Sequence, residues 1–463
     1  MHDDNLGAPS PERSNVSQPS RTDDHLLVFA RVPKPGTNKT RLIPALGAEK
    51  AAELYRQFVG GTLRQARQWM SGGGGRVTVC YTGGSMSEAQ TELGPDLHHT
   101  PQIESGLGER LQFATRAAFA AGAARVVVIG TDCPALTAAD LQRAFQQLEH
   151  HDVVLGPALD GGYYMIGLRA DHPNLFDGID WSTAVVFEQT RQRAQAMNLQ
   201  IHVLRPLSDV DHPEDLLPLR NQAKEGVSLP FAIQRGRLSV IIPTLNEAAN
   251  LPTTLQTVGT PDDRLEILVV DAGSSDSTLK VARQYGCRAF VGNRGRANQM
   301  NAGAAVATGE FLLFLHADTR LPVNYRPVIE QMLSTQFVGG AFSLAIDSPG
   351  FLPRIIEAAV AFRSRFLKRP YGDQALFFRA ADFYANGGYK PLALMEDYEF
   401  VGRIRKGGRI GIASQLVTTS ARRWLKHGFA RTTLLNQLCV LGYHLGVSDQ
   451  RLAKFYYGAR KKK

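Results

Sequence analysis

Two stretches of the chain follow one plan: an apolar strand that runs straight into an aspartate. One is Val126-Val-Val-Ile-Gly-Thr-Asp132-Cys-Pro134, the other Phe311-Leu-Leu-Phe-Leu-His-Ala-Asp318. Each lies downstream of an earlier apolar strand, Leu26-Leu-Val-Phe-Ala30 and Leu238-Ser-Val-Ile-Ile-Pro243 respectively. A carboxylate at the C-terminal end of a buried parallel strand stands where open α/β sheets take their ligands. One acid there can hold a divalent cation against a diphosphate, because Mg²⁺ commonly uses one or two protein carboxylates plus phosphate oxygens. The chain therefore reads as two tandem α/β, Rossmann-like domains handling nucleotide diphosphates, with Asp132 and Asp318 as metal ligands for Mg²⁺ or Mn²⁺.

A chain of 463 residues exceeds what one core organises, which agrees with two domains of roughly 200 residues each. Residues 1–24 are polar, rich in Ser, Pro, Asp and Arg, and lack an apolar core segment, so they are expected to be a disordered leader and not a signal peptide. Strand-like runs at 26–30, 76–81, 126–130 and 152–155 alternate with helical stretches such as 48–70 and 137–150, defining a first domain over 25–220. A polar linker is expected at 221–237. Alternation restarts with strands at 238–243, 265–270, 287–291 and 311–315 in a second domain over 238–463. Such alternation predicts parallel, doubly wound sheets. The last part, about 350–460, is helical in pattern, basic and aromatic.

The second domain carries the denser chemistry. Ser239-Val-Ile-Ile-Pro-Thr-Leu-Asn-Glu247 is a strand that breaks into a polar loop, and a second strand ends in Asp271-Ala-Gly-Ser-Ser-Asp-Ser-Thr278. Small residues there let a base and ribose approach the backbone, and Asp271 can accept a hydrogen bond from the N–H edge of a uracil-like base. The alternative is a bare turn. Gly295-Arg-Ala-Asn-Gln-Met-Asn301 offers Arg296 as a multi-donor cation for phosphate. Met395-Glu-Asp397 sets two acids before a helix, where one can serve as general base or merely cap the helix.

The ordered set SVIIPTLNE, VVDAGSSDST, GRANQMNAGAA, FLHADT, GDQALFFR, MEDYEF and ARRW resembles family 2 inverting glycosyltransferases of the GT-A fold, over about 200 residues. The resemblance implies that Glu247, Asp271, Arg296 and Asp373 face the donor and that Asp318 holds the metal on the diphosphate. It implies that Asp397, beside Glu396, deprotonates the acceptor hydroxyl, and that the Arg-Trp pair Arg423 and Trp424 lies over the diphosphate or acceptor. This chain has His316 where many relatives carry an acid.

In the first domain, Pro33-Lys-Pro-Gly-Thr-Asn-Lys-Thr-Arg41 follows the first strand, and Lys34, Lys39 and Arg41 form a cationic loop suited to phosphates. Arg110, at the start of a helix, could add to it. A small-residue loop holds Gly161 and Tyr163, and Asp209-Val-Asp211 offers Asp211 as a second metal contact. Solvation of the basic loop and helix capping by the acids are the plainer alternatives. The pattern KPGxxKTRL, GTDCPxL, DGGYY and DVDxPEDL is similar to a nucleotidyltransferase-like GT-A family linked with arsenosugar biosynthesis and often fused to the family 2 type. It is distantly similar to guanylyltransferases. That resemblance leaves three roles open: a second sugar transfer, a nucleotidyl transfer that makes the activated sugar, or a non-catalytic nucleotide-binding scaffold.

The net charge of +9 suits anionic ligands or an acidic membrane surface, and no nucleic-acid-binding motif is present. The helical run from Phe351 ends in four cations among apolar residues, so a peripheral membrane contact is weighed against simple packing on the domain. Four scattered cysteines without paired spacing indicate a reduced, cytoplasmic setting. The expected partners are a nucleotide-diphosphate sugar and a small-molecule or lipid acceptor.

Overall fold

The computed structural model describes residues 23–221 and 229–461. Most of the expected leader (residues 1–22) and the middle of the expected linker (222–228) lie outside the described residues.

The first sheet has seven strands: β1 (Asp24–Arg31), β2 (Arg76–Thr82), β3 (His98–Pro101), β4 (Arg125–Ile129), β5 (Val153–Pro157), β6 (Tyr163–Leu168) and β7 (Ile201–Val203). Their order is β3-β2-β1-β4-β6-β5-β7. The second sheet has eight: β8 (Gln234–Thr244), β9 (Leu265–Asp271), β10 (Arg288–Val291), β11 (Gly309–Phe314), β12 (Thr319–Arg320), β13 (Phe337–Asp347), β14 (Leu376–Arg379) and β15 (Arg409–Ser420). Their order is β10-β9-β8-β11-β14-β13-β15-β12.

Both sheets begin alike. The chain builds from the first strand to the second and third on one side, then crosses to the other side of the first strand for the fourth, all in parallel. That crossing is the switch point at which the C-terminal strand ends open a crevice. Asp132 follows β4 and Asp318 follows β11, beside the crossing in each sheet. Interior strands are covered on both faces, so they read as unbroken apolar runs; all of Arg125–Ile129 and all of Leu265–Asp271 are buried.

The fully parallel expectation does not hold. β6 runs antiparallel to β4 and β5, and β14 runs antiparallel to β11 and β13. β5 and β6 are joined by residues 158–162 alone, a length that makes a hairpin, whereas a parallel return needs a crossover of about a dozen residues or more. The last part of the chain is not purely helical either, since β14 and β15 run between its helices.

The chain forms two compact units that do not follow a single cut. One holds the described residues up to Val32 together with Val59–Ser208. The other holds Pro33–Phe58 and the described residues from Asp209 onward. In the second unit, Leu42, Leu54 and Phe58 share one buried cluster with Leu216, Ile241, Leu268, Phe383 and Phe400. On the other face of its sheet, Leu238, Val240 and Ile242 pack with Leu255 and Phe342. Alternation along β8 thus feeds both cores. Helix Arg296–Val306 lies so close to β8 that a Cβ on Gly303 would meet Ile241 Cγ2 at 2.5 Å, which fixes where its first residue, Arg296, stands.

A fragment of residues 229–463 lacks the Leu42, Leu54 and Phe58 side of its core, so it should be insoluble or should melt well below the full chain. In the full chain Phe58→Ala should cost about 3–5 kcal/mol, measured by denaturant unfolding. A fragment as stable as the intact chain would contradict the shared core.

Candidate active site

In the second unit the ends of β8 and β9 are knotted by one buried carboxylate. Asp271 is 0% exposed and accepts from Thr244 Oγ1 (2.9 Å), the amides of Gly273 (2.9 Å) and Ser274 (2.6 Å), and Ser274 Oγ (2.5 Å). A carboxylate offers about four lone-pair sites, so the protein itself occupies all of them. Ser274 Oγ also accepts from the Asn246 amide at 2.7 Å, while the Glu247 amide donates to Thr278 Oγ1 at 2.9 Å. The Glu247 carboxylate accepts from Asn250 Nδ2 (2.5 Å) and from Arg422 Nη2 (3.0 Å).

Arg422 Nη2 also stands 3.7 Å from Asp318 Oδ2. One guanidinium thus bridges the first-strand loop and the acid after β11. The side chain of Arg423, which the resemblance singles out, lies outside the described residues; Arg422 makes these contacts. Trp424 is buried on the same helix, Arg422–His427, and stacks on Phe429.

Arg296, Met300, Phe314, His316, Gly372, Tyr389, Glu396 and Asp397 line a narrow cleft. Helix Glu396–Ile404 starts after Met395, which is held in the left-handed region at φ 73°. A non-glycine residue there stores about 1–3 kcal/mol of strain, and such residues cluster at functional sites. The two acids that follow differ. Glu396 is 3% exposed and meets Arg296 Nη1 at 3.3 Å. Burial pushes its carboxyl upward, Arg296 pulls it back, and Asp397 adds to the rise. Asp397 is half-buried, with Oδ2 accepting from the Gly372 amide (2.6 Å) and Oδ1 from the Tyr398 amide (2.7 Å). A Cβ on Gly372 would lie 3.1 Å from Asp397 Oδ2 and 3.2 Å from His316 Nε2, so a side chain there would crowd both groups. Tyr389, which sequence reasoning missed, puts a buried hydroxyl with no hydrogen-bond partner among the described residues onto a ring that lines this cleft. Asp373, next to the cleft residue Gly372, lines a neighbouring groove with Trp424.

No group of three or more His, Cys, Asp or Glu side chains poised for a metal exists among the described residues. Asp318, partly exposed after β11, nevertheless fits a cation held mostly by phosphate oxygens, which asks little more of the protein.

The residues expected to form the first-domain site fall on both units. Asp132, Arg110, Gly161 and Tyr163 belong to the first; Lys34, Lys39, Arg41 and Asp211 belong to the second. There, Asp211 meets Lys39 Nζ at 2.9 Å and Arg41 Nη1 at 3.1 Å, so the expected second metal ligand is paired with two of the expected phosphate cations. Gly161 (φ 94°) presses on the chain itself: a Cβ would come 2.1 Å from the Ala184 carbonyl oxygen. Burial pushes the Tyr163 phenol upward, and its ring meets Trp181 edge-on. Arg110 lines a cavity with His25, Thr78 and Cys80 whose lining includes neither Asp132 nor Tyr163.

Strand order and the acid after the fourth strand define each unit as a nucleotide-diphospho-sugar transferase fold of the GT-A kind. Residues 239–386 match glycosyl transferase family 2, and residues 65–183 match a family described as an uncharacterized protein conserved in bacteria. The chain is 32% identical to a PGL/p-HBAD biosynthesis glycosyltransferase of Mycobacterium tuberculosis, across 41% of this chain and 91% of that protein. It belongs to glycosyl transferase family 2, and its second unit is a glycosyltransferase. Two solved structures are also similar. One is a candidate nucleotide-diphospho-sugar transferase of Desulfovibrio desulfuricans (36% identity, 44% of this chain, 90% of that chain, TM-score 0.41). The other is a mannosyltransferase of Pyrobaculum calidifontis in complex with GDP-Man and Mn²⁺ (17%, 53%, 81%, TM-score 0.36).

The Asp211 triad makes a prediction about acid. Burial alone would raise the Asp211 carboxyl, but Lys39 and then Arg41 hold it below its usual range. A lowered carboxylate contributes stability above its unfolded value of about 3.9, and that contribution fades as pH falls through the lowered value. Asp211→Asn should therefore lower the melting temperature at neutral pH and flatten its decline below about pH 4. Parallel melting curves for the two proteins across that range would contradict the pairing.

Proposed function

We propose that the second unit transfers a sugar from a nucleotide-diphosphate donor to an acceptor hydroxyl with inversion, and that Asp397 is its general base. The observation that carries this is the contrast between the adjacent acids. Glu396 is sealed against Arg296, whereas Asp397 stands half-buried in the cleft with two amides fixing its direction. An acceptor hydroxyl must lose its proton as the new C–O bond forms, and a positioned carboxylate can take it. Direct in-line attack inverts the anomeric carbon.

Arg296, at the N-terminus of helix Arg296–Val306, supplies charge and oriented amides toward the diphosphate. Glu247 and Asp271 shape the donor side, Asp271 by holding the loop rather than by offering an open acceptor. A divalent cation at Asp318 would neutralise the leaving diphosphate. Trp424 and Asp373 border the acceptor side.

For the first unit, Asp132 after β4 supports a second nucleotide-sugar-handling site, in sugar or nucleotidyl transfer. Release of pyrophosphate from a nucleoside triphosphate and a sugar 1-phosphate distinguishes the two, and nucleotide binding by the first unit with neither activity points to a scaffold. Both units are proposed to work in the cytoplasm; the four cysteines are free and buried, as a reducing setting allows. No described helix is long and apolar enough to cross a membrane.

Asp397→Asn should keep donor affinity but lose about 10²–10⁴-fold in kcat, with Glu396→Gln milder. A product that retains the donor's anomeric configuration, or near-full kcat in Asp397→Asn, would overturn the assignment. Asp318→Ala should abolish Mn²⁺-dependent donor binding, read by calorimetry, while the fold persists by circular dichroism. Unchanged turnover in the presence of EDTA would count against the metal.

A further inference from the structure

A groove of about 350 Å³ runs between helix Phe351–Phe366 and helix Phe429–His444. Ile355, Ile356, Ala359, Val360 and Val440 give it an apolar stretch, Thr433, Asn436 and Gln437 put polar side chains along the second helix, and Trp424 closes its side. The indole Nε1 of Trp424 is buried with no hydrogen-bond partner among the described residues. Arg363, Tyr371 and Asp373 also line it. Tyr371 and Asp373 flank Gly372, whose amide holds Asp397 at 2.6 Å. The groove therefore adjoins the carboxylate that would deprotonate an acceptor. A wholly polar acceptor would leave the apolar stretch against water, and a wholly apolar one has no hydroxyl to glycosylate.

The outer surfaces of the same helices are unusual. Phe351, Ile355, Phe362 and Phe366, at spacings of one or two turns, are 78%, 47%, 60% and 71% exposed. On the second helix and just beyond it Leu434, Leu438, Leu441 and Leu445 are 60%, 41%, 55% and 73% exposed. Two neighbouring helices thus each turn an apolar stripe to solvent, and contiguous apolar surface of this kind marks an interaction site. The surrounding charge indicates the occupant. Residues 351–369 carry five cations and one acid, and residues 422–461 carry eight cations and one acid. A second copy of so basic a face would be repelled; an anionic lipid surface is attracted to cations that flank an apolar stripe.

We propose that this groove is the acceptor site and that the acceptor is an amphipathic alcohol, its apolar chain along the groove, taken from an anionic membrane on which the two stripes rest. The proposal rests on the sugar-transfer reading of the second unit.

The full chain should float with vesicles of phosphatidylglycerol and phosphatidylcholine but not with phosphatidylcholine alone. Phe362→Glu/Phe366→Glu, two exposed positions, should weaken that binding by about tenfold or more while nucleotide-sugar binding is kept. Bromododecanol should quench the Trp424 emission. Quenching should vanish in Trp424→Phe and in Ala359→Phe, which fills the groove and whose melting curve reports its fold. Equal binding to both vesicles, no binding to either, or quenching that survives Ala359→Phe overturns the proposal, as does a dimer that buries the stripes in sedimentation. If the wild type binds vesicles and bromododecanol but no nucleotide sugar, the sugar-transfer reading fails and the lipid-binding groove stands.

Discussion

A fully buried carboxylate ties together the ends of β8 and β9 in the second unit. Asp271 has no access to water, and an ion in that position is tolerated only when its lone pairs are met. Two hydroxyls and two amides meet them, drawn from the end of β8 and from the loop after β9. Because Ser274 also receives the Asn246 amide and Ser275 donates to Asn246 Oδ1 at 2.9 Å, the two loops cannot move separately. Glu247 inherits its direction from this network, Arg422 from Glu247, and the charge beside Asp318 from Arg422.

How much of this was legible in the chain follows from what each signal depends on. β4, β9 and β11 were visible because both their faces are covered, so the residues themselves spell an apolar run. β14 and β15 were not, since they lie in a segment whose basic and aromatic content resembles helix surface, and partners far away in sequence decide their strand state. The reversal of β6 could have been inferred from the short link before it. That Asp318 and Glu247 follow strands and that Asp397 opens a helix was legible in the ordered motifs. Arg422 and Tyr389 were not: Arg422 meets Glu247 from 175 residues away in the chain, and packing decides that the Tyr389 hydroxyl is buried. The basic loop after β1 was read as a phosphate cradle for the first domain. Its apolar neighbours Leu42, Ala45 and Leu46 instead enter the second unit's core, and an amphipathic segment does not announce which core it will join.

The two sheets show how one strand order can serve differently. Each presents an acid after its fourth strand. In the second unit a guanidinium and a second acid stand at that position, Arg422 joining Glu247 to Asp318. Burial sorts Glu396 from Asp397 although they are sequence neighbours, because the helix start turns one toward Arg296 and leaves the other on the cleft.

The discontinuous second unit also imposes an order on synthesis. Phe58 leaves the ribosome long before Phe383 and Phe400, the rings that share its core. At about 5–20 residues per second, the delay is roughly 20–70 s. Through that interval Leu42, Leu54 and Phe58 have no native partners from the later half of the chain, while strands β2 to β7 emerge and can pair with β1. The nascent protein must keep an early apolar segment in waiting across the completion of a whole sheet, which makes its yield in cells sensitive to chaperone supply and translation speed.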